Sequence, residues 1–403
     1  MRQAKDQGWT KPLGRIALVA VLATTLMAPA QAGYREQAKR IHDRLAGVPP
    51  TDAVLQQMED AINPALPGNA NSAAFIAMGN VNFYNVTLKN FAAPWTNRDQ
   101  SVFVPLNDYI ATVIGMIRDD VPFNTLLSAD LTYVGNNGVV ASAPSAANND
   151  HFAQLEGDNI NLRDELTSVS QSSISGIPSS ATAGVITSRA ASEAFFVAGT
   201  NRAMFRFTLM NHMCSDMEQM HDPKLAPDRI RQDVSRSPGG DSRLFLNNCV
   251  GCHTGMDPMA QAFAYYNYDE VAGRLEYTGA GPGLGGTVQP KYFNNDLNFP
   301  QGFRTPDDKW DNYWRNGQNA YLGFSPSLSG SGYGAKSLGE ELANSEAFAA
   351  CQVRKVFRAV CLRDPENIAD RSMANQLTTD FMTTLGYRMK DVFAQTAVHC
   401  MGQ

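Results

Sequence analysis

The sequence predicts a mainly α-helical protein, with a helical N-terminal domain followed by a second helical domain broken by Gly-rich loops. Three observations predict it. The composition is 43% hydrophobic and 18% charged, the balance of a globular chain. Apolar residues recur at spacings of three and four in several segments. Cap and stop residues bracket those segments where a helix would need them. At 403 residues the chain is long enough for two or three cores.

The first residues read as a leader. Arg2, Lys5, Lys11 and Arg15 form a basic stretch, Ile16 to Met27 is a short apolar run, and Ala30-Gln31-Ala32 is a small-x-small cleavage site. A signal peptide over 1–32, cut after Ala32, is the expectation, and a periplasmic or secreted location follows from it. An uncleaved anchor is the alternative, but the run is shorter than the ~20 residues a span needs. No cysteine follows the cleavage site, which argues against a lipoprotein. No later apolar run reaches spanning length, so the mature chain is not expected to span a membrane. Cleavage would remove four basic residues and one acidic residue and move the net charge from −6 to −9. That charge repels nucleic acid and anionic lipid and suits a partner with a basic docking face.

The mature chain divides into an N-terminal helical domain (33–205), a second domain (206–365) and a helical tail (366–403). Tyr34–Gly47 ends in a glycine stop. Thr51–Ile62 opens on a Thr cap, with Val54, Met58 and Ile62 on one stripe. Ser72–Phe91 reads as one helix or a pair, and Pro105–Asp120 carries Leu106, Ile110, Val113 and Ile117 at helical spacing. Gly135–Asp150 and the Ser-rich Thr167–Gly184 read as surface loops. Thr200–Cys214 is a helix with Phe205, Leu209 and Met213 on one side. Asp257-Pro258 reads as a cap followed by a first-turn proline, starting a helix over "MAQAFAYYNYD". Gly273–Gly286 predicts a turn or small hairpin. Thr305–Gly317 reads as a helix with Trp310 and Trp314 on one face. Ser337 and Glu340 read as a capping box before a last long helix, in which Val353, Val356, Phe357, Val360 and Cys361 form one stripe and Arg354 and Lys355 a solvated face.

The chemistry concentrates in "NNCVGCHTGMDP". Cys249 and Cys252 lie one helical turn apart, and His253 follows at once. Covalent attachment of haem c needs two thiols to add across the porphyrin vinyl groups and an imidazole that reaches the iron from the same side, and C-x-x-C-H is that signature. A zinc site would need further Cys or His at matching spacing. A thioredoxin-like dithiol would need a βαβ setting, and the flanks read as helical. The expectation is one covalent haem c held by Cys249 and Cys252, with His253 as the proximal iron ligand.

The sixth ligand stays open. Met256 and Met259 are too close in sequence to His253 to round the porphyrin edge. His212 reads as a core histidine. Met217, Met220 and His221 lie upstream, with His221 the freest distal candidate, and His399 is a weaker downstream one. An empty sixth site is a further alternative. Phe263, Tyr265, Tyr266, Tyr268, Trp310 and Trp314 read equally as walls of a haem crevice or as ordinary core. Of the four other cysteines, Cys351 and Cys361 share a predicted helix and would stand ~15 Å apart, beyond the ~7 Å a disulfide tolerates. Cys214 is therefore expected to pair with one of them and Cys400 with the other, unless all four are buried thiols.

The stretches "AKRIHDRLAGVPP", "NFYNVTLKNFAAPW", "DDVPFNTLLSADLTYV", "CVGCHTGMDPMAQAFAYYNYDEVAGR" and "LANSEAFAACQVRKVFRAVCLRDP" resemble the planctomycete-type cytochrome family, in which domains of unknown function flank one haem-c motif. The resemblance runs loosely from Ala38 to Pro365, and its specific part is the motif core. The Trp-containing segment and "MKDVFAQTAVHC" lie outside it. It implies a cytochrome c-like haem domain, haem c at Cys249, Cys252 and His253, and an exported protein, with no defined substrate. The leading expectation is an exported mono-haem c-type cytochrome passing electrons to a redox partner protein. The alternative is a haem enzyme, peroxidase- or oxygenase-like, with an open sixth position. A third is a binding or assembly protein in which haem is structural.

Overall fold

The computed structural model describes residues 32–197, 200–293 and 295–402. The expected leader lies outside the described residues but for Ala32. The chain is mainly helical, 52% helix against 7% strand. No described helix is long and apolar enough to cross a membrane.

Helices α1 (Tyr34–Ala46), α2 (Asp52–Ile62) and α3 (Ala70–Met78) pack on one another. Gly47 ends α1 with a φ of +71°, the left-handed conformation glycine adopts without penalty. The Thr51 hydroxyl accepts from Val54 N and caps α2. The 72–91 segment is a pair: after α3 the chain winds as a π-helix over Phe83–Leu88. Helix α4 (Asp108–Arg118) is capped by Asn107, whose Oδ1 accepts from Ile110 N at 3.1 Å. It is buried from Tyr109 to Ile117, so it runs through the core with apolar residues all round. A ribbon of β1 (Thr132–Gly135) with β2 (Leu166–Val169) flanks it, and helix α5 (Asp150–Gly157) packs on β1.

Helices α6 (Arg189–Phe195) and α7 (Arg202–His212) lead to α8 (Val250–Ala260), which carries the Cys-x-x-Cys-His motif. Next come the hairpin β3 (Tyr266–Asp269)/β4 (Arg274–Tyr277) and the ribbon β5 (Lys309–Asp311)/β6 (Ser331–Tyr333). Helices α9 (Gly334–Ala343), α10 (Glu346–Cys361), α11 (Ile368–Met382) and α12 (Met389–His399) finish the chain. Helix α12 returns to pack on α1 and α3, and the Phe393 ring meets Phe83 and Phe91 edge-on at 5.3 and 5.4 Å. One apolar cluster therefore runs from Ala38 to Met401.

Two disulfides converge on α10. Cys214–Cys351 ties the end of α7 to the first half of α10, and Cys361–Cys400 ties the end of α10 to the end of α12, with Cα separations of 5.3 and 5.6 Å. Each bridge takes one of the two α10 cysteines, as their spacing along the helix requires. Loops of 137 and 39 residues put the entropic stabilisation at about 4–5 kcal/mol each.

Several local expectations are corrected. Thr305–Gly317 is not a helix but β5 and a 3-10 turn. Its polar side chains serve the local backbone instead: Asp307 Oδ1 accepts from Lys309 N, and Asn312 Oδ1 from Trp314 N, both at 2.9 Å. Ser337 sits inside α9, donating to Tyr333 O and accepting from Trp310 Nε1, so the capping box does not form. Asp257 and Pro258 lie inside α8, which ends at Ala260; Phe263 closes a 3-10 turn and Tyr266 and Tyr268 lie in the strand Tyr266–Asp269. The Ser-rich 167–184 segment is not a surface loop. Ala181, Thr182 and Ala183 are fully buried, and Gln171 donates to Gly184 O and accepts from Thr187, satisfying the buried backbone with side chains. Lys355 is no solvated residue either: its ammonium lies 4.0 Å above the Trp95 ring and donates to Asn211 O.

Candidate haem-attachment site

Helix α8 has two unlike faces. At 100° per residue, Gly251 and Gly255 share its back, and Cys249, Cys252 and His253 share its front. The back is packed without clearance. A Cβ on Gly251 would stand 2.6 Å from His221 Nε2, and one on Gly255 would collide with the Trp314 indole. The loop at Asp222 is locked to α8 as well: Asp222 N donates to Gly251 O, and the Thr254 hydroxyl to Asp222 O, both at 3.0 Å. On the front the three motif side chains are only half-buried, while the rest of α8 is buried. Leu244 and Leu246, on the turn leading in, are exposed.

Cys249 and Cys252 are unpaired, in a chain whose other four cysteines are bridged. The Cys252 thiol donates to Met217 O at 3.3 Å. Burial pushes that thiol up, and Cys249, Glu218 and Asp216 add to the effect. A redox dithiol needs the reverse, an electropositive setting that stabilises thiolate. Among the described residues no three His, Cys, Asp or Glu side chains converge on one point, so no zinc cage of protein ligands is formed.

His253 is aimed by Asp257, one turn on. Its Nδ1 donates to both carboxylate oxygens at 3.2 Å, because an ionised carboxylate can only accept. Phe245 flanks the ring at 6.0 Å. The Nε2 lone pair is left without a hydrogen bond among the described residues, on a side chain 18% exposed. Asp257 is fully buried within a closed set of charges. Arg202 donates to it through Nε (2.8 Å) and Nη2 (3.2 Å), and to Asp233 through Nη1 (2.9 Å) and Nη2 (3.0 Å). Arg231, buried over the Tyr292 ring at 4.7 Å, brings Nη2 to 3.6 Å from Asp257. Burial alone would raise the Asp257 carboxyl, but Arg202, His253 and Arg231 hold it well below the usual carboxylate range. Two guanidiniums balance two carboxylates, and His253 stands at the edge of that set.

These residues fit a haem of the c type. Two unpaired thiols and an imidazole with one nitrogen fixed and the other bare share one half-exposed face beside exposed leucines. His221 is placed behind α8, against Gly251, away from that face. His212 is buried and its Nε2 meets the Tyr109 hydroxyl at 2.6 Å. His399 Nε2 lies 2.8 Å from Asp370. Met217 and Met220 are buried, as is Met256. Of the aromatic cluster, Trp314 touches α8, and Phe263, Tyr265, Tyr266, Tyr268 and Trp310 are core. Sequence reasoning missed Asp257, Arg202, Asp233, Arg231 and the two glycines. The His-x-x-x-Asp spacing was the available signal, since residues four apart meet on a helix.

No family model, curated protein or solved structure matches the chain.

Proposed function

We propose that the chain is an exported mono-haem c-type cytochrome of the planctomycete-type family, carrying electrons to and from a redox partner with a basic docking face. The observation that carries this reading is the front of α8, where Cys249, Cys252 and the bare Nε2 of His253 stand together while every other cysteine is bridged. Each thiol would add its S–H across one vinyl group, the sulfur bonding one carbon and the proton going to its neighbour, so no oxidant would be consumed. His253 would supply Nε2 to the iron. Bound haem supplies a one-electron iron couple. The acidic surface of the mature chain steers a basic partner.

The test is to make the full chain in a cell that exports it and attaches haem c. Purified protein should carry the mass of one haem and show a c-type absorption spectrum, and the Cys249→Ala, Cys252→Ala double variant should carry neither. Colourless wild-type protein with the mass of the bare chain would sink the reading. The second reading, a haem enzyme with an open sixth position, is favoured by the seat of His221 behind α8. Rapid carbon monoxide binding to the reduced protein supports the enzyme, and a six-coordinate spectrum that resists it supports the carrier.

A further inference from the structure

We propose that Asp257 is a positioning residue that, through His253, holds the haem iron at a lower reduction potential than His253 alone would give. The inference rests on the haem reading above and concerns residues outside the motif.

A histidine that binds metal through Nε2 becomes a stronger donor when its Nδ1–H is pulled toward a carboxylate. A stronger donor stabilises ferric iron over ferrous, which lowers the potential. Three features of the cluster fit that task better than a merely structural one. The carboxylate faces Nδ1 with both oxygens at equal distance, so the ring is held in one plane and one tautomer. Asp257 is fully buried, so water does not screen its charge from the imidazole. Arg202 holds it bidentately, while Arg231 stands farther off and spends its shorter hydrogen bonds on Thr200 (3.1 and 2.8 Å). The carboxylate is thus held in place without being withdrawn from His253. A simple structural ion pair would not require a histidine at its open end. Nor would it require Arg202 to be shared with Asp233, which fixes the guanidinium from the other side.

The experiment is a redox titration of the haem-loaded full chain and its Asp257→Asn variant, with haem content read by mass. Asn keeps the shape and a neutral acceptor but removes the charge. The ferric preference should fall about tenfold, a rise of about 59 mV for a one-electron couple. The ring-proton shifts of His253 in the ferric protein should move with it, which a structural role would leave in place. Asp257→Glu restores the carboxylate and should return the potential most of the way. Haem-loaded Asp257→Asn with an unchanged potential overturns the proposal, as does an Asp257→Glu potential that rises as far as that of Asp257→Asn. If Asp257→Asn does not mature, Arg231→Gln carries the test. Freeing Asp257 from one guanidinium should lower the potential, and a rise or no change overturns the idea. Wild-type protein without haem would instead refute the proposed function, so the two failures are distinguishable.

Discussion

Around α1, α3 and α12 the buried surface is nearly all alanine, aliphatic and aromatic, and a disulfide stands at its edge. Around α8 the buried surface includes Arg231, Asp257, Thr254 and Gln261, and the close approach is made by glycines. The two regions share one apolar cluster, but different terms hold them. The bundle is stabilised by area removed from water, which tolerates small rearrangement. The α8 region depends on hydrogen-bonded charges and on zero clearance, and neither degrades gently. A bundle of the first kind needs only to stay folded. A helix of the second kind is fixed in rotation and in side-chain direction, which is what a site needs.

The largest expected effect tests the bundle. Phe393→Ala removes a ring that meets Phe83 and Phe91 and should cost about 3–5 kcal/mol in denaturant melts. If the chain carries haem as proposed, haem content per folded molecule should stay at the wild-type value. A parallel loss of haem would show that the two regions are not separable. Gly255→Ala reverses the pattern. Its methyl group collides with Trp314, and the overpacking should cost about 1–3 kcal/mol while lowering haem incorporation more than Phe393→Ala does. Equal incorporation by mass spectrometry would remove the claim that α8 must be fixed in rotation. The smallest effect concerns a buried carboxyl outside both regions. Burial pushes Asp308 up to about 6, against a backbone N–H from Gly283 that pulls it down. The native state then binds a proton that the unfolded chain, with a carboxyl near 4, has released. Stability should therefore fall as pH rises from about 4 to about 6, and Asp308→Asn should flatten that slope in melts across the same range.

Helix α4 was legible from the spacing of Ile110, Val113 and Ile117, and α10 because its stripe of Val353, Val356, Phe357 and Val360 is the face that is buried. The disulfide partners were narrowed by helix rise alone. The Thr305–Gly317 stretch misled because the Thr, Pro and Asp residues that open helices also build turns, and pairing with Ser331–Tyr333 is invisible in local sequence. The Ser-rich loop misled because polarity signals exposure only where the polar groups have no buried partners. In the candidate site, spacing alone placed the two cysteines and the histidine on one face. Asp257 was visible but assigned to the backbone, because its true partner Arg202 lies 55 residues upstream.

The return of α12 onto α1 and α3 has a further consequence. Arg40 donates to the carbonyl of Met401 across 361 positions, so the opening helices are covered by a segment made long after them. Until then Phe83, Phe91 and Ile41 lack their lid, and a nascent chain carries a sticky, unfinished surface past the point where the α8 cysteines emerge. Closure of the bundle thus waits for α12, and slowing synthesis downstream of α10 would lengthen the time in which that surface stays open.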